Sequence, residues 1–249
     1  MHYVNPPSKP LENVFHHTFY SKRYEHELGY CIYLPDGYET GTQRYPVFFH
    51  LHGWTGNESS EVETLYPVCR GRQAITVFPN QSPVIEDREN LPVEEMLIQE
   101  LLPLIDSLYR TQASCEGRGL SGFSMGGGMA MYCAVQYPQL FSSVTAYAGT
   151  YHHYFYYPDF RTVGAPPEKA AEFYQDLLTA KTDSARSLLP LIERHAGALR
   201  SGTQLSLHIG NKDVLYCDNE ILRLHLEKLK IPHEYRVYEG AEHSLPDIL

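Results

Sequence analysis

The chain has 249 residues, 43% of them hydrophobic, and a formal net charge of −10. At that length roughly 70–75% of the unfolded surface can be buried, enough for a full α/β core without staples. The negative balance argues against a nucleic-acid or anionic-membrane partner, and no apolar run approaches the roughly 18 residues that a membrane-crossing helix needs.

No basic segment followed by an apolar core opens the chain. With a native N-terminus a cytoplasmic location is expected; trimming of a leader would make the protein a secreted one. The five cysteines, Cys31, Cys69, Cys115, Cys133 and Cys217, are scattered with no Cys-x-x-Cys, which suits a reducing compartment better than a disulfide framework.

In chain order, the Pro- and Asn-rich opening reads as a loose lead-in. Val14–Tyr20 and Glu27–Leu34 read as two strands separated by the charged turn at Ser21-Lys22-Arg23, and Pro35-Asp36-Gly37 closes the second. Tyr45–Leu51 is a nearly continuous apolar run, as expected of a strand buried on both faces, and leads into His52-Gly53-Trp54. Ala74–Phe78 is another buried strand. Between Pro92 and Tyr109, Met96, Leu97, Leu101, Leu104, Ile105 and Leu108 recur at helical spacing, with Glu94 and Glu95 in the first turn.

Gly122-Phe123-Ser124-Met125-Gly126 fits Gly-x-Ser-x-Gly, the pattern of a nucleophile elbow. A serine on a sharp strand-to-helix turn is crowded on both sides, and glycine two residues away in each direction leaves room. A short apolar segment precedes the motif. Met129–Val135 follows as a buried helix ending near Tyr137-Pro138, so strand, turn and helix come in the required order. Ser143–Ala148 reads as the next strand.

From Gly149 to Ser201 the pattern changes to an aromatic segment, Thr150–Pro158, followed by helices near Glu168–Ala180 and Ser184–Leu199. Alternation then resumes with a strand at Gln204–Ile209, a helix at Asn219–Leu229 and a strand at His233–Tyr238. The whole reads as one doubly wound, mainly parallel α/β domain, with residues 149–201 inserted over the carboxyl edge of the strands, where open sheets bind ligands.

A serine hydroxyl needs a base, and the base needs an orienting acid. Asp213 leaves the strand at Gln204–Ile209, whereas the alternative acid, Asp218, sits where it would cap the next helix. His243 lies in a Gly-containing loop beyond the last strand and is the candidate base. The Met125 amide and the Trp54 amide, after His52-Gly53, are the candidate oxyanion donors. The pairs His16/His17, His50/His52 and His152/His153 suggest no metal, since neighbours on a strand face opposite ways and no carboxylate falls at ligand spacing. His195 and His225 read as helix-surface residues.

Read together, several segments carry a resemblance. They are Tyr33-Leu34-Pro35-Asp36-Gly37-Tyr38, Tyr45-Pro46, His52-Gly53, the elbow through Gly127, Tyr137-Pro138 with Leu140-Phe141, Gly210 with Asp213 and Asn219, and Gly240 with His243. The chain resembles the esterase branch of the α/β-hydrolases that holds esterase D, the feruloyl and acetylxylan esterases of carbohydrate esterase family 1, and relatives of enterochelin esterase. That resemblance implies an α/β-hydrolase fold, a Ser124–Asp213–His243 triad and ester hydrolysis through an acyl-enzyme without a cofactor. Two departures accompany it: the family usually continues past the histidine with an aromatic residue and a closing helix, and the 149–201 insertion is particular to this chain.

The expected substrate is a small-molecule or polysaccharide-linked ester, with feruloyl or acetyl esters of plant polysaccharide favoured. Gly53, Tyr151, Tyr154 and Tyr156 are the candidate substrate-binding residues, lining an aromatic pocket with Trp54. Two other readings stand beside it: an acyltransferase or thioesterase using the same triad, and a non-catalytic binding protein on the same fold. The oligomeric state is open.

Overall fold

The computed structural model describes residues 3–81, 92–151, 161–179 and 187–249. The chain divides into two compact units, one up to Leu120 and one from Ser121. Among the described residues the strand order is β1-β2-β4-β3-β5-β6-β7-β8, in an eight-stranded sheet.

In the first unit, β1 (Val14–Ser21) and β2 (His26–Tyr33) form an antiparallel hairpin with Val14 opposite Tyr33 and Ser21 opposite His26. β1 buries only Phe19 and Ser21, its other residues being exposed or half-buried, whereas β2 is buried from Leu28 to Tyr33. β2 runs antiparallel to β4 (Ile75–Pro79), and β4 runs parallel to β3 (Val47–Leu51). Between β3 and β4, α1 (Val62–Arg70) buries Val62, Leu65 and Cys69 at three- and four-residue spacing, one apolar stripe of a helix.

The lead-in is tied down rather than loose. Glu58, its side chain fully buried, accepts hydrogen bonds from the backbone and side chain of Asn5, from Asn80 Nδ2 at 2.7 Å and from His16 Nε2 at 3.1 Å. A buried carboxylate needs that many donors, and Asn5 is drawn in to supply two of them.

The helix expected over Pro92–Tyr109 is present but not uniform. α2 (Pro92–Glu95) passes into a π-helical stretch, Met96–Leu101, before α3 (Leu102–Leu108). Pro103 lacks an N–H and its ring crowds the preceding turn; the wider π turn just upstream relieves that crowding.

β5 (Arg118–Phe123) leads into the second unit. There β6 (Ser143–Tyr147), β7 (Gln204–Gly210) and β8 (His233–Tyr238) run parallel, with Tyr147 opposite His208 and Gly210 opposite Tyr238. α4 (Met125–Gln136) is buried at every position from Gly126 to Val135, and a Cβ on Gly127 would lie only 3.1 Å from the Gly149 Cα. Glycine here lets helix and sheet approach backbone to backbone.

α5 (Ala170–Thr179) and α6 (Leu188–Ser201) fall within the 149–201 segment, and α7 (Tyr216–Lys228) follows β7. α7 starts three residues before the expected Asn219, so Asp218 lies inside its first turn and does not cap it. His225 is a second correction, being fully buried rather than on a helix surface. Its Nε2–H donates to the Leu189 carbonyl of α6 at 3.0 Å, and its Nδ1 accepts from the Tyr174 hydroxyl of α5 at 2.9 Å. α7 is covered from two sides, which helical spacing in one segment does not reveal.

Candidate active site

β5 ends at Phe123 and α4 begins at Met125, leaving Ser124 as the single turning residue. It has φ 54° and ψ −117°, a region that costs a residue with a Cβ on the order of 1–3 kcal/mol. Its neighbours impose that conformation. The Ser124 N–H donates to the Tyr147 carbonyl at 2.8 Å, and its carbonyl accepts from Gly128 N–H and Thr150 N–H, each at 3.0 Å. A Cβ on Gly122 would sit 2.3 Å from the Gly126 carbonyl oxygen, so the spacing of the motif is a steric requirement.

The serine hydroxyl lies 2.9 Å from His243 Nε2, and His243 Nδ1 lies 2.8 Å from Asp213 Oδ2. A carboxylate can only accept, so Nδ1 carries the proton and Nε2 turns its lone pair to the serine. The Asp213 side chain is fully buried, and its second oxygen accepts the Leu215 N–H at 2.8 Å. The loops that carry Asp213 and His243 are tied together: Lys212 N–H donates to the Ala241 carbonyl at 3.0 Å, and Gly240 N–H to Asn211 Oδ1 at 2.7 Å. Gly240 takes φ 77°, which only glycine adopts freely.

Two neighbours, Phe123 and Thr150, carry no role in the sequence reading. The Phe123 ring stacks on the His243 imidazole, and Thr150 Oγ1 lies 3.5 Å from Ser124 Oγ. Asp218, the competing acid, instead accepts the Tyr151 N–H at 3.1 Å, while Asn219 Nδ2 donates to the Gly149 carbonyl at 3.0 Å. The first turn of α7 thus holds the loop 149–151 that carries Thr150. Position at a strand end was the available signal for Thr150; the other contacts span too much sequence to leave one.

Tyr151 is fully buried, and its ring folds back over Gly149. That packing removes it from the exposed pocket wall expected of it. Tyr154 and Tyr156 lie outside the described residues.

In the first unit, the loop after β3 carries His52, Gly53 and Trp54. The Gly53 N–H donates to Glu61 Oε1 at 2.9 Å, and Glu61 Oε2 meets His50 Nε2 at 2.6 Å. His52 is buried, and that burial holds its pKa below the ordinary histidine value. Trp54 is 57% exposed, the reverse of what a core tryptophan shows. His16 and His50 each take a separate glutamate, and among the described residues no group of three or more His, Cys, Asp or Glu is arranged to hold a metal ion. Among them too, no helix is long and apolar enough to cross a membrane.

Fold and strand order are those of an α/β-hydrolase. The family model described as "Putative esterase" matches residues 21–246, and the chain belongs to that family. Among curated proteins it is similar to Esterase Rv1288 of Mycobacterium tuberculosis, 32% identical over 133 residues, covering 49% of this chain and 29% of that protein. It is also similar to an endo-1,4-beta-xylanase/feruloyl esterase of Xylanibacter ruminicola, 28% identical over 158 residues, covering 52% of this chain and 20% of that one. The matched segments are thus a minor part of those relatives. Among solved structures, a ferulic acid esterase superposes with TM-score 0.70 at 22% identity, covering 93% of this chain and 90% of the other. The S-formylglutathione hydrolase FrmB of Staphylococcus aureus superposes with TM-score 0.72 at 13% identity, covering 93% and 92%. At these identities the likeness is one of fold.

Proposed function

We propose that the chain is a serine carboxylesterase. The observation that carries this reading is the unbroken hydrogen-bonded series from Ser124 through His243 to the buried Asp213. His243 takes the hydroxyl proton as Ser124 Oγ attacks the ester carbonyl. Asp213 holds the imidazole and balances the charge it gains. Amides of Trp54 and Met125 serve as donors to the oxyanion. Collapse of the tetrahedral intermediate breaks the bond to the alcohol, which leaves with the proton from His243. Water, deprotonated by the same imidazole, then releases the acid and restores the serine. No cofactor enters.

Within that reading the substrate is a feruloyl or acetyl ester of plant polysaccharide. The name of the Xylanibacter relative and the exposed Trp54 support it. Gly53, Tyr154 and Tyr156 are proposed to line the substrate site.

Steady-state hydrolysis of p-nitrophenyl acetate and methyl ferulate by wild type and Ser124→Ala tests the proposal. Loss of activity in the variant on either ester is expected; a folded wild type inactive on both, or an active variant, overturns it. Replacing Tyr154 and Tyr156 with Ala is expected to lower turnover of methyl ferulate more than that of the acetyl ester. Equal effects remove the aromatic pocket.

A further inference from the structure

Two consecutive peptides, His52–Gly53 and Gly53–Trp54, are held to an unusual degree by side chains. In the first, the His52 carbonyl accepts from Gln81 Nε2 at 2.5 Å and the Gly53 N–H donates to Glu61 Oε1 at 2.9 Å. In the second, the Gly53 carbonyl accepts from His52 Nδ1 at 2.7 Å and from Gly56 N–H at 3.1 Å. The tautomer behind that bond is determined. The Gln81 backbone N–H, which can only donate, meets His52 Nε2 at 3.1 Å, so the ring proton sits on Nδ1. Of the four polar atoms in these peptides, one is left over: the Trp54 N–H has no hydrogen-bond partner among the described residues.

We propose that His52 is a positioning residue that orients the Trp54 amide as an oxyanion donor, with Glu61 and Gln81 bracing the same turn. The inference rests on the serine-esterase reading. A peptide is planar, and in the trans form its C=O and N–H point in opposite directions. Anchoring the Gly53 carbonyl with two donors therefore sets the direction of the Trp54 N–H before any substrate arrives. Donation into the carbonyl also polarises the N–H on the far side of the same amide, making it a stronger donor. An oxyanion donor acts through such preorganisation, since it then pays no reorientation as charge develops. Burial keeps the imidazole neutral, the only form that both accepts from Gln81 and donates to Gly53. Glu61, with one oxygen on Gly53 N–H and the other on buried His50, keeps the turn from rotating as a unit.

The test compares His52→Asn with His52→Gln. Asparagine places an amide donor where Nδ1 lies; glutamine reaches toward Gln81 but has no donor at that position. On p-nitrophenyl acetate, H52Q is expected to lose kcat on the order of 10²-fold with KM little changed, the size of effect seen when one oxyanion donor is lost. H52N is expected to retain most of kcat. Binding of a phenylboronic acid, which forms a tetrahedral adduct on Ser124, should weaken in H52Q in parallel with kcat/KM, at an unfolding midpoint near wild type. Should H52Q fail to fold, Glu61→Ala is expected to give the same kcat-selective loss. Wild-type kcat in H52Q, or equal damage in H52N and H52Q, overturns the inference while the esterase reading stands. An inactive wild type overturns both.

Discussion

The rings of Phe123 and His243 lie face against face, with centroids 4.8 Å apart and planes inclined by 29°. His243 is about a third exposed, and the bond to Asp213 restrains only one edge of its imidazole. Phe123 supplies a flat wall against rotation about that edge, and it does so from the residue just before Ser124. Phe123→Ala is expected to lower kcat about tenfold with KM little changed, since sub-ångström misplacement of a base is costly. Phe123→Tyr should retain most of the rate. Steady-state kinetics decide: an unchanged F123A would mean that the stack is packing alone.

The strained turn at Ser124 predicts an asymmetry between two inactive variants. Both Ser124→Ala and Ser124→Gly lack the hydroxyl, but only alanine keeps a Cβ at φ 54°. Relief of that strain, less the backbone entropy of glycine, should make S124G about 1 kcal/mol more stable than S124A in urea unfolding. Gly122→Ala, by contrast, drives a Cβ into the Gly126 carbonyl and should cost about 3 kcal/mol or abolish folding.

Asp213 and Asp218 are both buried, yet one meets an imidazole and the other a backbone amide. In Asp213→Asn an amide nitrogen can face Nδ1 and force the wrong tautomer, so kcat should fall about 10³- to 10⁴-fold. Asp218→Asn still offers an oxygen to the Tyr151 N–H, and its kcat should stay within roughly tenfold of wild type. The reverse ranking would transfer the acid role to Asp218.

His225 predicts an acid limb in stability. Burial pushes its pKa from the ordinary 6.5 down to about 4. The folded state thus binds fewer protons than the unfolded state in that window. Its contribution is present above pH 6.5 and is lost as pH falls toward 4, a loss of roughly 3 kcal/mol by linkage. Thermal unfolding midpoints should drop across that range, and His225→Gln, with no proton to gain there, should flatten the slope. Equal slopes in both proteins would place the acid sensitivity elsewhere.

What could be read along the chain was what short-range sterics dictate. Gly122 and Gly126 announce the elbow because a Cβ at Gly122 would strike the chain four residues on. Asp213 and His243 can be proposed from the sequence because loops leaving parallel strands gather at one edge, and strands are legible from their apolar runs. Misreadings came where several elements converge. His225 looked exposed because α7 by itself does not tell that α5 and α6 both cover it. Asp218 reads as a cap from spacing alone, but the helix starts three residues before Asn219, and the partner of Asp218, the Tyr151 N–H, is 67 residues away.

The sequence by itself determined the order of the strands, the Gly-x-Ser-x-Gly turn and the loops that carry Asp213 and His243, since each is a local pattern of periodicity, turn chemistry and steric room. Only the tertiary structure decided which polar atoms meet. The tautomer of His52 hangs on Gln81, 29 residues on, the face of His243 on Phe123, and the placing of Thr150 on the first turn of α7. Hydrogen bonds are directional and short, so they form only after packing has brought distant segments to within about 3 Å, and no spacing along the chain records that.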